Sequence, residues 1–243
     1  MSETLCPHCG SAFEKPPQRK TKCKSCGNAV FVRTRPSDRQ RVVVTPAQAA
    51  ALEDEWSQKH EYARVIRTDR PGFEAEKAAL TQKFGGTPKD TDVIWSILNK
   101  ERLHQAAENK WGLYRNNTLD MADVLRVEGR LEAAVRFYLE VCYLDLNGPN
   151  NFGPSSNPVF RAKYPPFSPR IASLASGVVH LLARTRAKAS MTDEALRSLF
   201  FTQVVETTIP LDLPVPPQDA WQILWEALVG TQDASHDRAR DEI

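Results

Sequence analysis

No stretch of this 243-residue chain comes near the roughly 18 consecutive apolar residues that a membrane-crossing helix requires. Its start, Met1-Ser2-Glu3-Thr4-Leu5-Cys6, has neither the basic segment nor the apolar run of a secretory signal, so a cytoplasmic, reducing setting and no membrane partner are expected. The phosphate-cradling loops of nucleotide enzymes are missing, since there is no Walker A loop and no G-x-G-x-x-G, and the G-x-S-x-G of serine hydrolases is missing too. Histidine is scarce, with five in all, and His60-Glu61 opens like a zincin motif without its second histidine. Glu108-Asn109-Lys110 satisfies a bare nuclease-like E-x-K, yet it reads as mid-helix, with no strand or upstream acid to hold Mg²⁺. Asp90 with Asp92, or Asp120 with Asp123, could meet a metal, yet each pair also suits a helix start, where acids meet the positive end of the dipole. An enzyme with an unfamiliar site therefore ranks third among the readings.

What is present is a soluble, globular composition, 41% hydrophobic and 26% charged, long enough for a real core. The formal net charge of +2 hides a division. Residues 1–45 carry nine basic side chains against three acidic ones, a net of +6, and the remainder carries −4. Asymmetry of this size points to a segment that meets a polyanion, or to a basic module docking on its own acidic neighbour.

Five cysteines in a reducing compartment suggest metal ligands before disulfides. Cys6-Pro7-His8-Cys9-Gly10 and Cys23-Lys24-Ser25-Cys26-Gly27 are two C-x-x-C-G units with thirteen residues between Cys9 and Cys23. Four thiolates in two close pairs can enclose one Zn²⁺ tetrahedrally, and a shell filled by sulfur makes that site structural, with no position open for substrate. Iron in a rubredoxin-like centre uses similar ligands. The glycine after each second cysteine suits a turn that needs positive φ. His8 reads as a ring beside the metal and Cys142 as a packed core thiol.

These knuckles, followed by Ala29-Val30-Phe31-Val32-Arg33 and Arg41-Val42-Val43-Val44, resemble a zinc ribbon, and Arg19 to Gly27 is similar to the opening of uncharacterised zinc-ribbon proteins of bacteria and phages. The resemblance covers about the first 45 residues and implies binding of nucleic acid or protein more than chemistry. Two β-branched runs joined by turn-rich Thr34 to Gln40 predict a two-stranded ribbon with a basic tip. Arg19, Lys20, Lys22, Lys24, Arg33, Arg35, Arg39 and Arg41 are the candidate contacts to DNA or RNA phosphates. With only Phe13 and Phe31 as aromatics, base-specific readout has no support.

The expected fold class is mostly α, with a small N-terminal β zinc ribbon at 1–45, a helical domain at 46–231 and a charged tail at 232–243. Helices are predicted over 47–67 after the Thr45-Pro46 opening, over 73–84 before Gly85-Gly86, over 92–98 and 103–114 as two stretches or one continuous helix, and, as amphipathic helices, over 119–127 and 131–146. Further helices are predicted over 171–187, 192–207 and 218–229, with Trp221 and Trp225 one turn apart as core. Gly129 to Tyr138, with small Ala134 facing Tyr138, resembles the second half of a tetratricopeptide repeat. A single hairpin in an ordinary helical bundle reads the same way, because a solenoid needs about three repeats. Residues 147–169, rich in proline and carrying Phe152, Phe160, Tyr164 and Phe167, predict a packed loop or a partner-binding surface. The leading function is a non-catalytic, zinc-dependent nucleic-acid-binding protein whose helical domain recruits a protein partner or self-associates. A protein–protein adaptor is the alternative.

Overall fold

A computed structural model describes residues 4–153 and 157–240, without the side chains of Arg161 and of 231–240. The architecture is mostly helical, with a small N-terminal antiparallel sheet of strand order β1-β2-β3. The chain divides into two compact units, Met1–Arg64 and Val65–Ile243.

In the first unit, β1 (Thr21–Lys22) pairs with β2 (Ala29–Thr34), and β2 pairs with β3 (Arg41–Val44) in the register Val32 to Val43 and Arg33 to Val42. Alternation along β2 sends Val30 to one face, where it is buried with Cys6 and Cys23 and flanked by Phe13 and Val43. The opposite parity carries Phe31 and Arg33. Helix α1 (Pro46–Val65) then doubles back along the hairpin. Arg33 meets Glu53 at 2.7 Å, Trp56 Nε1 donates to the Thr34 carbonyl at 2.7 Å, and Lys59 donates to the Pro36 carbonyl at 3.1 Å. Thr45 caps the helix as expected, and Gln48 completes a capping box by accepting from the Thr45 amide at 3.0 Å. The sequence reading ended the ribbon at residue 45; α1 extends this unit to Arg64 because its polar side chains finish the hairpin's hydrogen bonding.

In the second unit, α2 (Phe73–Phe84) packs on α3 (Asp90–Ala107), α3 on α4 (Trp111–Val127), α4 on α5 (Leu131–Asn147), and α5 on α7 (Ser176–Lys188). Short α6 (Pro158–Lys163) lies in the long connection. α8 (Asp193–Leu199), capped by Thr192, runs through a π turn at Phe200–Val204 into α9 (Val205–Thr208). The last helix, α10 (Pro217–Arg240), packs on α7. α5 is the centre: nearly every residue from Ala134 to Asn147 is buried, so its sequence is apolar almost all round.

The polar residues that α5 does bury are matched. Arg115 grips Asp145 with two bonds of 2.7 Å, and Tyr114 donates to Glu140 at 2.9 Å. Asn147 donates to the Tyr143 carbonyl at 2.8 Å and accepts from the Val215 amide at 2.7 Å. Without such partners, each group would lose its hydration uncompensated. Cys142 is wholly buried among these residues, and burial pushes its thiol pKa up.

Several boundaries moved. The stretches 92–98 and 103–114 are continuous where they meet, since α3 runs unbroken from Asp90 to Ala107, and the break falls later, at Glu108-Asn109-Lys110, where Asn109 adopts φ 52°. The E-x-K triplet is therefore an interhelix turn, with Glu108 bridging Lys110 at 2.5 Å and His104 at 3.4 Å. The predicted 171–187 helix starts later, at Ser176, because Pro169–Ile171 forms only one 3₁₀ turn. α10 continues through the expected tail as far as Arg240, since Gly230 alone does not stop it. Trp221 and Trp225 stack at 5.9 Å, half-buried, with Trp221 also against Phe200.

The long connection is fastened at its start. Gly148, at φ 59°, closes α5, and Pro149 bridges Phe167. A Cβ on Gly148 would stand 2.1 Å from the Ser168 carbonyl oxygen, a backbone atom that cannot step aside cheaply. Gly148→Ala is expected to cost on the order of 3 kcal/mol, read as a fall of roughly 6–12 °C in the melting temperature of the second unit. Gly86→Ala, with open space around its Cβ position, is the control that should leave the melting temperature within about 2 °C.

Candidate metal centre

The two cysteine units fold into matching knuckles. In the first, the Cys6 amide donates to the Ser11 carbonyl and the Gly10 amide to the Cys6 carbonyl, both at 2.9 Å. In the second, the Cys23 amide donates to the Asn28 carbonyl at 2.9 Å and the Gly27 amide to the Cys23 carbonyl at 2.8 Å. Gly10 and Gly27 take φ of 71° and 72°, the left-handed turn that side-chain-bearing residues rarely adopt. One local motif, used twice, delivers four sulfurs to one point.

Cys6 Sγ lies 3.9 Å from Cys26 Sγ, Cys9 Sγ lies 3.8 Å from Cys23 Sγ, and all four ligand atoms fall within 4.8 Å of one another. These separations are far beyond the ~2.05 Å of a disulfide. A metal about 2.3 Å from each thiolate of a regular tetrahedron implies edges of about 3.8 Å, so the donor set fits a four-coordinate ion. Four sulfurs fill that shell and leave no place for a reacting water.

The electrostatics point the same way. Cys9 is lowered to about 6 by its side-chain and backbone contacts with Ser11. The Cys23 thiol is lowered by the Cys26 backbone. Cys26 is raised to about 11, because the favourable Asn28 amide is outweighed by desolvation and by the neighbouring sulfurs. Thiolates this close repel one another, and a cation at their centre lets all four ionise together.

His8 stays outside the shell, with Nε2 3.1 Å from the Ala29 carbonyl, so it ties the first knuckle to β2. Cys142 belongs to the other unit's core. Among the described residues, the four cysteines are the one cluster of three or more potential ligand residues. Asp90 pairs with Lys77 at 3.0 Å, Asp92 backs the Lys89 amide, Asp123 pairs with Arg126 at 2.8 Å, and Asp120 lies 3.9 Å from Arg70.

The eight candidate phosphate contacts fall into three groups. Lys24 pairs with Glu14 at 3.2 Å, Arg33 with Glu53 at 2.7 Å and Arg35 with Asp38 at 2.6 Å, while Arg41 donates to the Gln18 carbonyl at 2.8 Å. Lys20 sits 4.9 Å over the Phe31 ring and Arg39 4.7 Å over Trp56. The Arg19 and Lys22 side chains are exposed and, among the described residues, without ion pair or hydrogen bond. The sequence reading missed Glu53, Trp56 and Lys59 as parts of this unit. Thr45-x-x-Gln48 and the Ala49, Leu52, Trp56 stripe signalled a capped amphipathic helix, but not what its stripe would meet.

Against family models, curated proteins and solved structures, the chain gives no match.

With so small a core around the four sulfurs, an ion held there would supply much of the first unit's stability. Chelation, or Cys9→Ser with Cys26→Ser, is expected to remove amide-exchange protection from residues 4–64 and to leave α3, α4 and α5 protected. Hydrogen-exchange mass spectrometry of the full chain reads both units at once, and intact protection across 4–64 after complete metal removal would overturn the assignment.

Proposed function

We propose that this is a non-catalytic, zinc-dependent nucleic-acid-binding protein, in which zinc folds a basic ribbon that contacts phosphates and the helical unit recruits a protein partner or self-associates. The observation that carries the reading is the charge division around a closed four-sulfur site: net +6 over residues 1–45 and −4 over the rest. α1 softens the division without cancelling it. Extended to Arg64, the first unit still carries a net of +4 and the second −2. Positive charge concentrated on a small module raises the local concentration of a polyanion and releases its counterions on contact.

Zinc is favoured over iron as the ion because a site of this kind needs no redox change to fold a module, and four thiolates suit zinc's indifference to ligand-field geometry. A cysteine set committed to metal also suits a reducing compartment, which supports a cytoplasmic setting. Catalysis at the metal is disfavoured by the filled shell.

A protein–protein adaptor is the second reading, and specific contacts favour it. Arg33 and Arg35 already face carboxylates, and the long connection shows solvent a cluster in which Phe152 packs at a tilt against Tyr164, ring centres 4.5 Å apart, beside Phe160 and exposed Val159.

Elemental analysis should find one zinc per chain. Fluorescence anisotropy of the zinc-replete chain with labelled DNA and RNA should then give binding that weakens linearly on a log–log salt plot, by roughly −0.9 per phosphate on duplex or −0.7 on a single strand. Absence of binding at low salt by folded, metal-loaded protein would sink the nucleic-acid reading and leave the adaptor.

A further inference from the structure

Thirteen residues join the knuckles, and they enclose a groove of about 670 Å³ lined by Phe13, Glu14, Lys15, Arg19, Lys22 and Lys24. Its charges are unlike those of the hairpin tip. Only Lys24 is matched, by Glu14. The side chains of Lys15, Arg19 and Lys22 are exposed and, among the described residues, make neither ion pair nor hydrogen bond. At the tip, by contrast, Asp38 takes two bonds from Arg35, Glu53 takes Arg33, and Arg39 lies over Trp56.

Resting on the nucleic-acid reading, we propose that the groove between the knuckles, not the β2–β3 tip, is the phosphate-binding surface, and that its ligand is a single strand of nucleic acid held by its backbone. Three uncompensated cations spaced along one short connection repel each other unless a polyanion lies among them. Pro16-Pro17 fixes φ at two successive positions between Lys15 and Arg19 and so stiffens the connection. A concave recess between two turns admits a flexible strand, whereas a duplex is a convex cylinder that would touch only the rim. Positively charged grooves that track a backbone are the usual solution for single strands.

The aromatic rings explain what the groove does not do. The Phe31 ring carries Lys20 at 4.9 Å and Arg33 at 5.2 Å. Trp56 carries Arg39 at 4.7 Å and stacks on His60 at 5.5 Å. Phe13, half-buried at the metal core, is the aromatic left in the groove. Bases therefore find no open stacking platform here, and binding tolerates sequence.

The test is anisotropy titration of the zinc-replete full chain with oligo(dT), oligo(U) and a mixed-sequence duplex of equal length. Three phosphate contacts on a single strand give a log–log salt slope of about −2, so that raising salt from about 50 to 200 mM weakens binding about 20-fold. Lys15→Gln/Arg19→Gln/Lys22→Gln should bring that slope near zero, while Arg35→Gln/Arg39→Gln leaves it unchanged. Metal content is measured for each variant. If neutralising Lys22 beside Cys23 lowers it, Lys15→Gln/Arg19→Gln replaces the triple variant, with an expected slope of roughly −0.7. Preference for oligo(dT) or for oligo(U) identifies the strand as DNA or RNA and supports the proposal either way. Tighter binding to the duplex, or loss of the slope in the tip variant and not in the groove variant, overturns the groove while keeping the nucleic-acid reading. No binding to any of the three overturns both.

Discussion

Mutual repulsion of four sulfurs is the constraint on which the first unit depends. The buried core there is Cys6, Cys23 and Val30, with Phe13, Cys26 and Val43 at its margin. That is far too little apolar surface to offset the entropy of ordering some sixty residues at ~1–2 kcal/mol each. The knuckles make the sum possible by placing Sγ atoms 3.8 and 3.9 Å apart, close enough to hold one ion and too close to carry four charges without it. The backbone bonds from Cys6 to Ser11 and from Cys23 to Asn28, and the positive φ of Gly10 and Gly27, serve that placement.

Once the sulfurs are fixed, the sheet and α1 follow as polar completion more than as packing. α1 buries only Ala49 yet supplies Glu53, Trp56 and Lys59 to the hairpin. Each of these contacts is partly exposed, so each contributes little alone. Their collective effect is directional: they use the tip's cations and carbonyls inside the unit and leave the knuckle side of the ribbon with the unpaired charge. A count of basic residues in the sequence treats all eight candidate cations as equal. The structure ranks them by what each already touches.

Much of this was legible from residue order. The C-x-x-C-G pairs gave the metal point, Gly85-Gly86 marked the end of α2 at Phe84, and Thr192 stood where the structure places an N-cap, accepting from the Ala195 amide at 3.2 Å. The three- and four-residue steps of 131–146 announced an amphipathic helix, and the structure buries it on nearly every side. What escaped was set by tertiary contact or by residues without a strong local signature. The α3–α4 break lacks glycine and proline, and Asn109 makes it by entering the left-handed region that asparagine tolerates better than most. The π turn at Phe200–Val204 has no sequence mark, and it lets Phe200 and Val204 both reach the core. The docking of α1 could not be read because Trp56 and Lys59 meet main-chain carbonyls, which every sequence possesses, and Glu53 is one carboxylate among several that Arg33 could have met.

The two units are therefore stable for different reasons, and this separates what perturbs them. The second unit has a continuous apolar core from Ile66 to Leu228, within which α5 buries Asp145, Glu140 and Asn147 against fixed partners. Such matched polar groups add little net stability over apolar substitutes but penalise any misregister of the surrounding helices, because a shifted Arg115 leaves Asp145 buried and unpaired. Heat, volume changes and polar mismatches act on that unit. Metal availability and thiol oxidation would act on the first, whose four converging sulfurs can hold an ion and, without one, have the chemistry of ordinary thiols. A chain so divided can lose its basic ribbon's shape while the helical unit stays folded, and the ribbon's charge, then spread along an unfolded segment, no longer presents the spacing that the knuckles impose.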